Sequence, residues 1–248
     1  MARSRPSIAL RVAATNTPYM ATCAIPGCRN PTMRAAGLGL AAFHCRRHVE
    51  HKARNGSHWH RTYRAAELKP YLAAATSYVR LRAESDRFIK AALDAIALLL
   101  EEAGPTEIAT RLKGMSATQR ARIALARLRV AGIKPERFVT IVLAVTALIE
   151  EDPGSHRTKE FRTVQIAKGL HRLASGTHKR WPFVDHQGRQ RQTELHAFPR
   201  SSGPTLRLIG KAVEQPCEWA MDKHLSAVLA LKVKRYGRHP ALRTTTPQ

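Results

Sequence analysis

The chain has 248 residues, of which 44% are hydrophobic, so it can bury a core and is not a disordered tail protein. Lys and Arg number 42 against 18 acids, a formal net charge of +24, and such an excess repels itself in a compact state unless an anion offsets it. Nucleic acid is the commonest such anion inside cells, an anionic membrane surface is another, and a generically basic proteome is the remaining explanation.

The positive charge is concentrated at the two ends of the chain. Residues 1–63 carry ten Lys and Arg and one acid, residues 64–153 carry fourteen and eleven, and residues 154–248 carry eighteen and six. The middle segment is therefore predicted to be a scaffold and the two ends to face an anion. We find no secretory signal after Met1, and the most apolar run, 138–149, is shorter than the about 20 residues that span a bilayer. We expect a soluble, cytoplasmic protein with no membrane partner, nucleoid-associated if it binds DNA.

The first predicted element, after a basic arm at residues 1–20, is a zinc-binding module at residues 21–63. Its pattern is Cys23-x4-Cys28, sixteen residues, and then Cys45-x2-His48. Zinc takes four soft or borderline ligands at the corners of a tetrahedron, and a Cys pair on a turn with a Cys/His pair at a helix start supplies them. Four protein ligands make a closed, structural site, so Zn²⁺ is the expected cofactor.

The spacing within each pair suits this chemistry. A Pro-Gly dipeptide inside the first pair favours the turn that brings two thiolates together. Cys45 and His48 are three residues apart, so they fall on one face of a helical turn. His44 and His51 compete for the fourth position, although neither has the x2 spacing, and three clustered core cysteines are the alternative to a metal site. Cys217 stands alone and is expected in the core.

The residues around these ligands follow a known pattern. They read Cys23-Ala-Ile-Pro-Gly-Cys28-Arg-Asn-Pro31, then Cys45-Arg-Arg-His48, then Lys52-Ala-Arg-Asn-Gly56-Ser57. This resembles the short zinc-binding module of phage and bacterial HNH-type and related DNA-associated proteins, in which a Cys-x4-Cys-x-x-Pro segment precedes a Cys-x-x-His pair and a basic helix. The resemblance covers about residues 21–60 and implies zinc binding and a DNA-associated role. The remainder resembles uncharacterised bacterial proteins, which implies no function.

The cations that follow the zinc ligands form the first predicted nucleic-acid-binding surface. Cations interleaved with an aromatic side chain suit a track along backbone phosphates, with Trp59 either stacking or packing into the core of the module. This surface comprises Arg46, Arg47, Lys52, Arg54, Trp59, Arg61 and Arg64.

A helical bundle is predicted for residues 64–153. An Ala-rich run at 65–78, helical spacing of apolar residues at 88–99, and a capped segment between Ser116 and Gly132 each indicate a helix. The stretch 138–149 is apolar on nearly every side, which is typical of the buried centre of a bundle. The clearest linker is 152–155.

A basic helical unit with a short β-hairpin is predicted for residues 154–236. Apolar residues from Phe161 to Leu173 line one face of a helix, and 186–189 suit a turn between two short strands. Further helices are expected after Ser201 and up to about residue 234. Residues 237–248 are predicted to be a disordered tail.

The second predicted nucleic-acid-binding surface lies in this unit. A basic helix followed by a basic hairpin resembles the order of a winged-helix unit, in which a helix enters the major groove and the wing touches phosphate; the likeness is one of order alone. A solvated helix face with a loop is the alternative. This surface comprises Arg162, Lys168, Arg172, Lys179, Arg180, Arg189 and Arg191.

The hairpin also holds the best candidate for an HNH-like nuclease site. There His186 would act as general base and Asp185 as a metal ligand or as the group that orients the base. The constellation is incomplete, because no Asn follows Asn55 and the nearest further histidine is His196. A polar turn in solvent explains the same residues, so we predict no complete catalytic site.

These observations predict a mainly α protein: a small zinc-binding finger, then a helical bundle, then a basic C-terminal helical unit with a short hairpin. We expect it to bind nucleic acid, and DNA in particular, in a regulatory or mobile-element context. Charge alone does not distinguish DNA from RNA. The alternatives are a metal-dependent HNH-like nuclease and a zinc-finger adaptor that binds a protein partner.

Overall fold

The computed structural model describes residues 22–107, 109–174, 178–196 and 201–243, so the basic arm predicted at residues 1–20 lies outside the described part. The described chain divides into two compact units between Arg61 and Thr62. As predicted, it is mainly helical, with a two-stranded antiparallel hairpin and a Cys/His cluster near its N-terminal end.

The first unit consists of turns, a loop and helix α1 (Arg46–Asn55). Thr22 and Pro31 form an isolated antiparallel bridge, and the loop folds back through a hydrogen bond from the backbone N–H of Met33 to the carbonyl of His44 at 2.9 Å. Among the described residues of this unit, the buried hydrophobic side chains are those of Cys23 and Cys45 alone. The unit is therefore ordered without an aliphatic or aromatic core.

The second unit is a bundle of helices. They are α2 (Ala65–Arg82), α3 (Arg87–Glu101), α4 (Ala117–Val130), α5 (Pro135–Glu151), α6 (Lys159–Ala174), α7 (Gly203–Glu214), α8 (Glu218–Tyr236) and the short α9 (Pro240–Arg243). Two 3₁₀ segments, Ala109–Gly114 and Gln215–Cys217, precede α4 and α8.

Local sequence determines where several of these helices begin. The carboxylate of Asp86 accepts hydrogen bonds from two backbone N–H groups in the first turn of α3, at 2.9 and 3.0 Å. Ser116 and Gln119 form a reciprocal capping box at the start of α4. Pro135 occupies the first position of α5, where a helix needs no N–H donor.

Helix α5 is the centre of the second unit. Every residue from Phe138 to Ile149 is buried, and α5 packs against α2, α3, α6 and α8, which confirms the prediction from its uniformly apolar sequence. One hydrophobic core runs through α2 to α8 and therefore continues across the predicted linker, 152–155, which is a turn between α5 and α6. In the described part of the chain, no helix is both long enough and apolar enough to cross a bilayer.

Helices α6 and α7 approach each other closely at Gly210. A Cβ atom at this position would lie 2.1 Å from the backbone carbonyl oxygen of Thr163, so only glycine allows the contact. One turn further along α7, the buried carboxylate of Glu214 accepts hydrogen bonds from the Thr163 hydroxyl and from the Nε of Arg162, both at 2.5 Å. The polar pairing and the close backbone approach fix α7 against α6.

A buried ion pair joins α8 to the end of α5. Lys232 and Glu151 are in contact, with side chains 3% and 8% exposed, and Glu151 also accepts hydrogen bonds from the hydroxyl of Tyr71 at 2.6 Å and the backbone N–H of His239 at 2.8 Å. Burial by itself raises the pKa of Glu151, but these donors outweigh it and hold the pKa below its ordinary value. The carboxylate is therefore charged and fully paired.

The predicted hairpin is present. Strands β1 (His178–Val184) and β2 (Gln190–His196) are antiparallel, with Val184 opposite Gln190 beside the turn and His178 opposite His196 at the far end. Of the predicted disordered tail, residues 240–243 form α9, and residues 244–248 lie outside the described part.

Candidate functional site

The first cysteine pair is held by a tight turn. Cys28 donates its backbone N–H to the carbonyl of Ile25 at 3.0 Å, and Gly27, third in the turn, has φ of 78°. Pro at the second position and a glycine of positive φ at the third are the sequence signature of a type II turn. The Cys23 N–H bonds to the carbonyl of Asn30 at 2.9 Å and closes the loop. The Pro-Gly dipeptide thus has the role that the sequence predicted.

The second pair lies at the start of α1. Cys45 is the N-cap residue, and its carbonyl accepts the backbone N–H of His48 at 3.0 Å, so both side chains project from one helical turn. The two pairs are linked by a hydrogen bond from the N–H of Ala24 to the carbonyl of Phe43 at 2.8 Å. The chain thus brings together ligands that are 25 residues apart in sequence.

The four side chains converge to the dimensions of a metal site. The Nδ1 of His48 lies 3.2 Å from the Sγ of Cys23 and 3.4 Å from that of Cys45, and the Sγ atoms of Cys28 and Cys45 are 3.9 Å apart. All four atoms lie within 4.8 Å of one another. A tetrahedral ion with about 2.3 Å bonds to sulfur and about 2.05 Å bonds to nitrogen has edges of about 3.8 Å between sulfurs and about 3.6 Å from sulfur to nitrogen. The closest contacts are near these values.

The three cysteines are not arranged as a disulfide. The 3.9 Å between the Sγ atoms of Cys28 and Cys45 is nearly twice the ~2.05 Å of a sulfur–sulfur bond, and all described cysteines are free thiols. Burial raises the pKa of the Cys45 thiol, but hydrogen bonds from the backbone N–H of His48 and from the neighbouring thiols outweigh it, so the net pKa is lowered. A lowered thiol pKa favours the thiolate form at Cys45, whereas the pKa of the neighbouring Cys28 thiol is raised, because its hydrogen bond from the backbone of Asn30 is outweighed by burial and by the other two thiols.

His48 is the histidine that joins the cysteines. His51 instead lies with its Nδ1 2.7 Å from the carbonyl of Ser57, and His44 stacks on His58 with ring centroids 3.6 Å apart. Burial, and then the charge of Arg47, lower the pKa of His48, so its ring is neutral near pH 7, as a metal ligand must be.

The basic surface predicted after the ligands is largely exposed. Arg46, Arg47, Arg54 and Arg61 are exposed and Lys52 is half-buried. Trp59 is 51% exposed, which places it at the surface rather than in the core. Glu50, the single acid among residues 22–61, pairs with Arg46 at 2.9 Å and Arg54 at 3.7 Å. The remaining member, Arg64, belongs to the second unit, where it precedes α2.

Two cations of the second predicted surface are bonded to other residues of the second unit. Arg162 pairs with the buried Glu214, and Lys168 donates to the hydroxyl of Thr62 at 2.5 Å. Burial, and then the charge of Arg172, lower the pKa of Lys168 to about 8. Most of the described side chains of α6 are buried or half-buried, so this geometry does not favour insertion of the helix into a DNA groove.

Four residues of the second predicted surface lie in the hairpin, and the structure describes the side chains of two of them. Arg189 and Arg191 are exposed, and Arg191 pairs with Asp185 at 2.8 Å. Lys179 and Arg180 belong to β1, and their side chains lie outside the described part of the structure.

The hydrogen bonds of the hairpin turn give Asp185 a structural role that requires no catalytic one. One carboxylate oxygen accepts the backbone N–H groups of Gln187 at 2.9 Å and Arg189 at 3.0 Å, while the other accepts Arg191. The hydrogen bond from Arg189, and those from Gln187 and Arg191, lower the pKa of Asp185. His186 is exposed in the turn, and His196 lies six residue pairs beyond it, about 20 Å at ~3.3 Å per residue. The turn therefore does not bring together the groups that a nuclease site requires.

Two features of the first unit were not predicted from the sequence. A surface cavity of about 270 Å³ adjoins the Cys/His cluster, with Arg29 and Asn30 on one side and Arg47 of α1 on the other. The loop before Cys45 exposes three large apolar side chains, Leu38, Leu40 and Phe43, by 58% to 68%. No sequence signal identifies the cavity, since its two sides become neighbours only when the cluster forms.

Comparison with family models, curated proteins and solved structures finds nothing that matches this chain. No family assignment is supported, the HNH-type resemblance included, and the candidate site rests on the geometry of its own four ligands.

Proposed function

We propose that the first unit is a zinc-containing module that binds nucleic acid, with DNA as the expected partner. Zinc is the metal that fits best, because three thiolates and one imidazole in a closed tetrahedron are a common structural zinc set. The protonation state of His48 also suits a metal, because its ring is neutral near pH 7 and can therefore act as a ligand. A bound ion would also supply the order that an apolar core supplies in larger domains.

The observation that carries the nucleic-acid proposal is the charge of the first unit. Residues 22–61 contain seven Lys and Arg and one acid; the three arginines of α1 are exposed, and so is Trp59, four residues after the end of that helix. Cations on a short helix bind backbone phosphates through counterion release, and an exposed indole stacks on bases. The self-repulsion of this unit is relieved when a polyanion binds.

The test is a titration of the zinc-loaded full chain into a labelled DNA duplex, followed by fluorescence anisotropy between about 50 and about 200 mM salt. We expect a complex at low salt whose affinity falls steeply as salt rises. No complex at low salt, or a complex indifferent to salt, would refute the proposal. A duplex RNA of the same sequence, titrated in parallel, determines which nucleic acid is preferred.

Matched variants locate the binding surface. Lys52→Gln, on α1, should weaken the complex and reduce its salt dependence, because each phosphate contact contributes about 0.9 to the slope of log affinity against log salt. Lys234→Gln removes the same charge from an exposed position on α8 and should change binding little. Equal effects of the two substitutions would mean that overall charge, rather than the first unit, attracts the DNA.

A protein-interaction adaptor is the second candidate, favoured by the exposed loop of Leu38, Leu40 and Phe43. Three exposed large apolar side chains within six residues of one surface loop are typical of a contact site for another protein. A partner captured in high salt after nuclease treatment, and lost with Leu40→Asp while DNA binding persists, would support this function. A chain that binds no protein under these conditions would exclude it.

A further inference from the structure

The cavity beside the Cys/His cluster has the composition of an anion site. It is open at the surface, measures about 270 Å³, and is lined by residues of the Cys23–Cys28 turn region and the first turn of α1. No acidic side chain lines it, and its charged groups outside the ligand set are Arg29 and Arg47. At about 30 Å³ per water in the liquid, it has room for a phosphate group with part of its hydration shell.

The two guanidinium groups of this cavity are not neutralised by the protein. Among the described residues, the side chains of Arg29 and Arg47 have no hydrogen bond or ion pair, and both are exposed. The single acid of this unit, Glu50, is already paired with two other arginines of α1. Among the described residues, the two cations therefore have no carboxylate partner.

The start of α1 adds a second source of positive potential. No acidic side chain occupies the first turn of the ten-residue helix α1, so the Cys45 ligand at the N-cap is the one group among the described residues of this turn that can offset the positive end of the helix dipole. Arg47 and His48, in that same turn, form one side of the cavity.

Charge balance indicates which anion fits. A divalent metal with three thiolates and a neutral imidazole has a formal charge of −1, and the two arginines add +2. The neighbourhood is then left with +1, which the single negative charge of a phosphodiester cancels. The side-chain amide of Asn30 donates one N–H to the Sγ of Cys45 at 4.0 Å and has a second N–H to offer, and Ile25 with Pro26 provides an apolar wall for a sugar ring.

We propose that this cavity binds one phosphate group, which in a nucleic acid is a backbone phosphodiester. The inference rests on the proposed function for the identity of the macromolecule, but the phosphate chemistry can be tested without it. Arg29 and Arg47 grip the phosphate from the two sides of the cavity, and Asn30 completes the donor set. The site would fix where the backbone passes the metal cluster.

The first experiment uses inorganic phosphate as the probe. In ¹⁵N-resolved NMR spectra of the zinc-loaded full chain, we expect saturable shifts of the amide signals of residues 25–30 and of Arg47. The double variant Arg29→Gln/Arg47→Gln should lose these shifts while it keeps its zinc, because neither side chain has an intramolecular partner to lose. The variant Arg46→Gln/Arg54→Gln removes the same charge elsewhere on the unit and should keep them.

The second experiment measures the salt dependence of duplex binding for the same variants. With Arg29→Gln/Arg47→Gln, we expect the slope of log affinity against log salt to decrease by about 0.9, the value of one phosphate contact. Duplex binding with an unchanged slope and no phosphate-induced shifts would refute the phosphate site in the cavity and leave the proposed function intact. Phosphate-induced shifts of the amide signals of residues 25–30 without any duplex binding would support the phosphate site in the cavity and refute the proposed function.

Discussion

Substitution of Cys45 by Ser removes one ligand of the cluster and tests whether a metal, rather than packing, orders the first unit. Cys45 is both a ligand and the N-cap of α1, and it is one of two buried hydrophobic side chains in the described residues of that unit. With the metal gone, no apolar core remains to hold residues 22–61. We therefore expect this unit to unfold and the helical bundle to stay folded.

The size of the effect follows from the ligand count. Structural zinc contributes about 10–16 kcal/mol to small metal-dependent modules. An equal share among four ligands is about 2.5–4 kcal/mol, which corresponds to a roughly 100- to 1,000-fold weaker affinity for metal. The loss of helix is small, since α1 has 10 residues whereas the seven helices from α2 to α8 together have 111. Far-UV ellipticity should fall by less than a tenth.

Metal content, circular dichroism and hydrogen exchange together provide the assay. Freshly prepared, reduced wild-type protein should hold one equivalent of zinc, and the variant should lose it to a mild chelator and lose amide protection across 22–61. Cys217→Ala is the matched control, because Cys217 is a fully buried cysteine of the second unit and is not one of the four ligands. The Cys217→Ala protein should therefore retain the metal. A Cys45→Ser protein that keeps its zinc, or one that loses most of its helicity, would refute the reasoning.

Three further predictions concern the second unit. Gly210→Ala should lower the free energy of unfolding by about 3 kcal/mol in chemical denaturation, because the new methyl group meets the carbonyl of Thr163 at 2.1 Å. Lys232→Met should cost about 3–5 kcal/mol in the same assay, because it leaves the carboxylate of Glu151 buried without its cation. The Lys168 pKa, about 8, lies below its ordinary value of 10.5, so the unfolded state binds more protons between these values and wild-type stability should rise with pH over this interval. Lys168→Met should abolish this rise.

Each of these substitutions has a counterpart that should be nearly silent. The control for Gly210→Ala is Gly114→Ala, whose methyl group lies in open space. The control for Lys232→Met is Lys234→Met, which changes an exposed lysine on the same helix. The control for Lys168→Met is Lys159→Met, which again changes an exposed lysine on the same helix. All three should stay within about 0.5 kcal/mol of wild type. If a counterpart destabilised the protein as much as its partner, the structural explanation for that pair would be wrong.

Local pattern was sufficient to predict several features of the fold and the candidate metal site. The stretch 138–149 of α5, apolar on nearly every side, predicted its central position, since a helix without a polar face has to be surrounded. The short spacings Cys23–Cys28 and Cys45–His48 predicted two pairs of ligands, because each pair depends on a single turn of chain. The turn at 186–189 predicted the hairpin for the same reason.

Features that depend on contacts between distant segments were not predictable. Arg162 and Lys168 lie on a basic helix, and their spacing does not reveal that their partners are Glu214 and Thr62, 52 and 106 residues away. Likewise, Arg29 carries no motif, and its position opposite the first turn of α1 follows only once the cluster has formed. Periodicity identifies the face of a helix, but it does not identify what covers that face.

The scarcity of buried side chains in the first unit has a consequence for protein design. Since few side chains of 22–61 are enclosed, chiefly Cys23, Thr32, Cys45 and Ser57, its exposed residues can be exchanged without opening or overfilling a core. The module is in this respect a display scaffold: four fixed points and one turn retain the shape, and the outward-facing positions are available for a new recognition surface.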